Sequence, residues 1–314
     1  MTGELKTLRI VMVWALVTSS VLVMILLQAS KIVLDYASMG RVGLTLALLA
    51  GTAIVCRKRG FIKSSLIMEA LAGGIAFSVL VLISTYLAIS LDAPLADDSL
   101  AAMDRAMGFD GAAFIHLVDG VPWLSWALMH AYASFAMQLL VLPMLLILFG
   151  KPSRAFALVL AYAFVGFVSS LISIWFPALG THVVYAIDPA SLKSINPYFG
   201  HAFLAQFDAV REQSEFFLSL NSAEGILTFP SVHAAVAFLC AASAFSVRWL
   251  RYPFLGLNLL MGTATVTHSN HYLIDVFAGL GLAAVSLYAI SNLARKPLAG
   301  QVRAFELGSG HGAG

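Results

Sequence analysis

The chain has 314 residues, of which 60% are hydrophobic and 11% charged, with a mean hydropathy of +0.91 and a net charge of +2. Soluble domains carry about a quarter charged residues, so a water-soluble single core is excluded. The apolar residues come in long blocks, and about 20 helical residues cross a bilayer core; the composition predicts an all-α polytopic membrane protein.

In chain order the apolar blocks fall at 8–28, 40–56, 65–91, 122–149, 154–177, 230–247, 252–268 and 272–292. The first follows Lys6 and Arg9 as a signal peptide would. It is too long for a signal h-region and has a poor small-residue site near Ala29, so it is read as an uncleaved span. Residues 1–63 are expected to add two N-terminal helices to a six-helix core over 64–294, with a flexible cytoplasmic tail at 295–314. Gly73-Gly74 and Gly279/Gly281 predict close helix packing. Cys56 and Cys240 have no plausible partner and imply no disulfide.

Basic residues accumulate in short cytoplasmic loops. With the N-terminus inside, the inner segments hold Lys6, Arg9, Arg57, Lys58, Arg59, Lys63, Lys151, Arg154, Arg248, Arg251, Arg295, Lys296 and Arg303. The outer ones hold Lys31, Arg41, Arg105, Lys193 and Arg211. Both termini are therefore expected in the cytoplasm, of a bacterial inner membrane or its equivalent. Segments 92–121 and 178–229 then face outward and are expected to form short interfacial helices. The acids of the first (Asp92, Asp97, Asp98, Asp104, Asp110, Asp119) read as a solvated loop as readily as a substrate entrance.

Polar residues concentrate in two places. FPSVH (229–233) opens the sixth block, and THSNHYLID (267–275) joins the seventh to the eighth. The topology puts His233 and His271 at similar depth near the outer surface. Asp275 follows His271 by four residues, which places both on one helix face, where a carboxylate can fix the imidazole tautomer. Pro230 suits the first helical position. The free N–H groups of that turn, with the Ser231 hydroxyl, form a cradle for phosphate. Two histidines, a carboxylate and an anion cradle point to phosphoryl transfer, one histidine attacking phosphorus and the other protonating the leaving oxygen.

Other ionisable residues receive plainer readings. His116, His130 and His182 are taken as boundary residues, and Glu69 as a partner of Lys63 or of its helix dipole. A metal site from His233, His268, His271 and Asp275 lacks a tight ligand pattern; neither metal nor cofactor is expected.

PSVH, with its histidine 38 positions before that of HYLID, resembles the second and third motifs of the type 2 phosphatidic acid phosphatase superfamily, Pro-Ser-Gly-His and Ser-Arg-x5-His-x3-Asp. The resemblance covers roughly 64–294 and implies a six-helix core, a phosphohistidine at His271 oriented by Asp275, and His233 as acid for the leaving group. The family's first motif, Lys-x6-Arg-Pro, has no counterpart here. Ala264 and Thr265 replace the Ser-Arg pair, and Val232 replaces glycine. In these departures, and in AYASFAMQ (131–138), the chain is similar to the inositol phosphorylceramide synthase, sphingomyelin synthase and aureobasidin-resistance-like branch. The phosphate then needs other donors: Arg211 first, then Lys193 and Arg105, with His201 and His268.

The expected activity is a lipid phosphotransferase passing a phospho-head group between lipids at an outward-facing site. The alternatives are a lipid phosphate or polyprenyl pyrophosphate phosphatase using water, and a non-catalytic lipid-binding or transport protein. Expected partners are membrane lipids (phospholipid, ceramide, diacylglycerol or polyprenyl phosphate) and not nucleic acid.

Overall fold

A computed structural model describes residues 2–295. Of the tail expected at 295–314, residues 296–314 lie outside the described ones. Each apolar block becomes helical. Helix α1 spans Gly3–Gln28, α2 Tyr36–Lys58 and α3 Ile62–Ile89, with the short strand β1 at Ile32–Leu34 between the first two. Two polar-segment helices follow, α4 (Asp97–Ala106) and α5 (Gly111–Asp119). The block at 122–149 divides into α6 (Pro122–Ala133) and α7 (Phe135–Leu148), broken at Ser134, whose hydroxyl donates to the Ala131 carbonyl at 2.6 Å.

Helix α8 spans Pro152–Ser173. The second polar segment then winds through α9 (Thr181–Val184), α10 (Tyr198–His201), α11 (Leu204–Glu212) and strand β2 (Phe216–Leu218). Helices α12 (Val232–Ala244), α13 (Arg251–His268) and α14 (Leu273–Arg295) complete the chain. Pro122 and Pro152 open α6 and α8, where a missing N–H costs nothing.

Among the described residues five helices (α1, α2, α3, α8 and α14) are long and apolar enough to cross a membrane. The pair α5–α6 meets the same test together but is bent by 109°. The protein is an all-α integral membrane protein with several spans. Large apolar side chains such as Trp14, Leu48 and Tyr288 stay exposed on its helices, as a surface solvated by lipid requires.

Helix α8 is the most buried span and packs on α1, α3, α7, α12 and α14. Phe156, Val165, Leu239 and Met261 share one core with Leu8 and Phe77. Polar contacts cross the helices inside it: Ser84 meets Ser170 at 2.8 Å, and Asn258 Nδ2 donates to Gln138 Oε1 at 2.8 Å, the type of glue that polar side chains supply between spans. Close packing is realised at Gly73, against Met12, and at Gly279, whereas Gly74 and Gly281 face open space.

Glu69 departs from the expected Lys63 partnership. Arg9 holds it with two bonds, Nε to Oε2 at 2.6 Å and Nη2 to Oε1 at 2.8 Å, with Arg57 at 3.4 Å. Lys63 instead donates to the Leu148 carbonyl. The planar guanidinium matches a carboxylate where an ammonium does not, and Arg9 ties α1 to α3 through it. Cys56 and Cys240 are free.

The polar segments do form short helices, and they also carry a parallel β1–β2 pair in the register Ile32↔Phe216, Val33↔Phe217 and Leu34↔Leu218. The acids at 92–119 are not a uniformly solvated loop. Asp97, Asp104 and Asp119 are buried, and each holds backbone N–H groups. Asp97 accepts from Leu179 and Gly180, and Asp119 from Lys193, Ser194 and Ile195, all at 2.8–2.9 Å. Carboxylates placed this way satisfy loop donors that burial would otherwise strand.

Candidate active site

Ser231 caps α12, its Oγ accepting from Ala234 N at 3.3 Å. Pro230 therefore precedes the cap and is not the first helical residue, because a serine oxygen serves as a helix start and the helix begins at Val232. Ser231 N donates to the Asp275 carbonyl at 3.0 Å, and Ala235 N bonds back to the Ser231 carbonyl. The expected N–H cradle is thereby narrowed to Val232 and His233. A Cβ on Gly279 would lie 2.3 Å from the Ser231 carbonyl oxygen, so the starts of α12 and α14 touch through bare backbone.

The second element is the turn between α13 and α14. Asn270 adopts φ +59° there and is fully buried. Its side chain accepts from His182 N at 3.1 Å and donates to the Gly200 carbonyl, while its own carbonyl accepts from Thr181 N at 3.0 Å. These bonds dock the 178–203 segment on the turn. Gly180, at φ +90°, is packed so that a Cβ would meet the Asn270 carbonyl oxygen at 2.2 Å. Asp104 receives the first N–H groups of α14, from Leu273 at 2.8 Å and Ile274 at 2.9 Å.

His271 lies in this turn, two residues before α14, and not on the helix face that its spacing implied. The i, i+4 contact still forms: Nδ1 lies 3.2 Å from Asp275 Oδ2, which also accepts from Tyr272 N at 3.0 Å. Asp275 is fully buried and its Oδ1 has no hydrogen-bond partner. His271 Nε2 makes no hydrogen bond within the described residues. The Tyr272 hydroxyl donates to Asp97 Oδ1 at 2.9 Å, and burial together with that carboxylate holds the phenol protonated far above its ordinary range.

His233 stands near enough to His271 for their charges to interact. It stacks on Tyr132, with centroids 4.3 Å apart and planes at 16°, and packs on Phe135 at 4.3 Å. Its Nδ1 lies 3.4 Å from the Tyr132 hydroxyl, which meets Ser269 Oγ at 2.5 Å. Tyr132, Ser269 and Asp104 carry no motif signal. Tyr132 and Phe135 do fall within AYASFAMQ, so the one clue to them was a likeness and not a spacing. A cavity of about 380 Å³ opens beside His233, between α3, α6–α8 and the 198–228 segment, and is lined chiefly by apolar and aromatic groups.

The remaining expected phosphate ligands lie elsewhere. Arg211 is held by Asp92 at 2.7 Å and the Ala93 carbonyl at 3.0 Å, over the Phe207 ring. None of Arg211, Lys193 and Arg105 lines the cavity. His268 is buried, with Nδ1 2.8 Å from Thr267 Oγ1 and Nε2 3.3 Å from Ser125 Oγ. His201 Nδ1 lies 3.1 Å from the Pro197 carbonyl.

His116 and His130 are exposed, as boundary residues would be, but His182 is not. It is 1% exposed with both ring nitrogens unpartnered. Burial, then the nearby His201, push its pKa down to about 4 against a small opposing pull from the Thr267 backbone. Among the described residues, no group of three or more His, Cys, Asp or Glu side chains could hold a metal ion.

A family model described as the PAP2 superfamily matches residues 98–289, a stretch containing both histidine segments. The chain belongs to the PAP2 superfamily, and with it to proteins whose activity is of the lipid phosphatase or phosphotransferase type. No curated protein and no solved structure matches it.

Proposed function

We propose that this protein transfers a phospho-head group from one membrane lipid to the hydroxyl of another, through a phosphohistidine at His271. The observation that carries the reading is the His271–Asp275 pair set beside His233, with no lysine or arginine among the described residues that line the adjoining cavity. A phosphomonoester dianion would call for cations to match its charge, whereas a diester carries one negative charge.

Asp275 accepts a hydrogen bond from His271 Nδ1–H and so fixes the tautomer whose Nε2 has its lone pair free to attack phosphorus. The bond from phosphorus to the donor lipid's alcohol oxygen breaks, and His233, as imidazolium, gives that oxygen its proton. An acceptor hydroxyl then returns a proton to His233 and attacks phosphorus, and the bond to His271 breaks. Water in place of the acceptor would make the same site a phosphatase. On this reading residues 64–294 form the catalytic core, the site faces outward, and both termini are cytoplasmic. The likeness to the inositol phosphorylceramide synthase branch and the lipid acceptors ceramide and diacylglycerol belong to the same proposal. Ser231 serves through its backbone, holding α14, more than through its buried hydroxyl.

The test is a lipid assay with purified protein and a donor carrying labelled phosphorus, with and without diacylglycerol or ceramide. Label moving into a new lipid supports transfer, while only water-soluble label supports the phosphatase. A labelled protein intermediate should be lost in acid, survive base and vanish in His271→Ala. Full turnover in that variant overturns the mechanism.

A further inference from the structure

The cavity beside His233 contains a charge that the phosphoryl chemistry does not use. Glu224 is the one acidic or basic side chain, histidine aside, among its described lining residues, and it lies in the loop that leads to FPSVH. Most of the other lining residues are apolar or aromatic, Val81 and Leu82 of α3 among them. Glu224 is firmly placed. The fully buried Tyr86 hydroxyl lies 3.0 Å from its carbonyl oxygen and accepts from its N–H at 3.1 Å. Tyr198 donates to Glu224 Oε1 at 3.2 Å, and no hydrogen bond within the described residues reaches Oε2.

Aromatic rings connect this carboxylate to the histidine. Tyr198 meets Phe199 edge to face at 5.5 Å, Phe199 meets Tyr132 at 5.2 Å, and Tyr132 stacks on His233 at 4.3 Å. A carboxylate with a free oxygen in a cavity lined by aromatic rings suits an ammonium group, through charge and through the ring quadrupole. It is a poor neighbour for a second anionic group.

We propose that the cavity receives the head group of a zwitterionic phosphodiester lipid, with its ammonium held by Glu224 and the rings of Tyr198 and Phe199. The assignment rests on the phosphotransfer reading above, which puts phosphorus beside His233 and His271. The site then presents one negative group to the ammonium and imidazole nitrogens to the phosphate, with no lysine or arginine among the described residues of its wall.

The experiment compares phosphatidylcholine, phosphatidylethanolamine, phosphatidylinositol and phosphatidic acid of one short acyl chain in non-ionic micelles. The wild-type protein should prefer the two ammonium lipids in kcat/KM. Glu224→Gln should reduce that preference about tenfold, through KM. Tyr198→Leu, at an exposed ring, should reduce it independently. Calorimetric titration of dihexanoylphosphatidylcholine into His271→Ala protein gives a readout without turnover, and adding Glu224→Gln should weaken Kd by a similar factor. A preference for phosphatidylinositol or phosphatidic acid, or a ratio and Kd that Glu224→Gln leaves unchanged, overturns the head-group assignment while phosphotransfer stands. If no lipid is turned over but choline-lipid binding depends on Glu224, the phosphotransfer reading falls and the ammonium site stands. Neither turnover nor binding overturns both.

Discussion

The backbone N–H of Ser231 donates to the backbone carbonyl of Asp275 over 3.0 Å. This bond holds the start of α12 against the start of α14 without using either side chain. The Asp275 carboxylate remains for His271 and the Ser231 hydroxyl for its own helix.

The same approach depends on Gly279, where any Cβ would press on the Ser231 carbonyl. Gly279→Ala should cost about 1–3 kcal/mol of overpacking and depress turnover, although Gly279 is no part of the proposed chemistry. A fall in melting temperature in detergent, together with lower lipid turnover, is the expected result. Wild-type values for both would contradict the contact.

Asp275→Asn keeps the shape of the side chain but can present an N–H to His271. On the proposed mechanism the wrong tautomer then predominates, and kcat should fall about 10³- to 10⁴-fold with little change in KM. Steady-state kinetics with the preferred lipid decides it, and a loss under tenfold would remove Asp275 from the mechanism.

Asp104 is fully buried and receives the Leu273 and Ile274 N–H groups. Asp104→Ala strands both and should cost about 2 kcal/mol, with Asp104→Asn intermediate because its one oxygen can still accept. Thermal unfolding of the two variants tests the order; equal stability of Asp104→Ala and wild type would exclude the capping role.

His182 is expected to make stability acid-sensitive. Its folded pKa of about 4 lies below the ordinary 6.5, so between those values the unfolded chain binds a proton that the fold refuses. Its share of stability is complete above about pH 6.5, falls with pH, and is gone by about pH 4, a change of about 3 kcal/mol. Around it stand His201, His268, Asn270 and Gly200. His182→Met removes two orphaned nitrogens and should flatten the acid limb of a stability–pH curve. An unchanged limb would assign the effect to other groups.

The apolar helices and the His271–Asp275 contact were legible because hydrocarbon thickness and helical spacing act locally, although the eight expected spans become five sufficiently long helices among the described residues, or six with the bent α5–α6 pair. His182 was misread, and Asp97, Asp104 and Asp119 were left between a solvated loop and a substrate entrance. Their burial arises from segments docking across long stretches of chain, which leaves no periodic trace. Arg211 is a similar case: its charge and its place in the segment leading to FPSVH made it a candidate phosphate ligand, and its ion pair with Asp92 depends on two loops meeting. IVL at 32–34 and FFL at 216–218 are too short to show the alternation of strands, so the ladder could not be anticipated.

That ladder bears on the order in which the protein is assembled. Lys31, just before β1, donates to the carbonyl of Arg211, 180 residues later, so β1 leaves the ribosome long before β2 exists. Helices α1 and α2 are therefore made with that strand edge open, and it can fill only after α8 and β2 have been made. The β1–β2 pair thus acts as a late latch, which ties the first two helices of the chain to the segment leading to FPSVH.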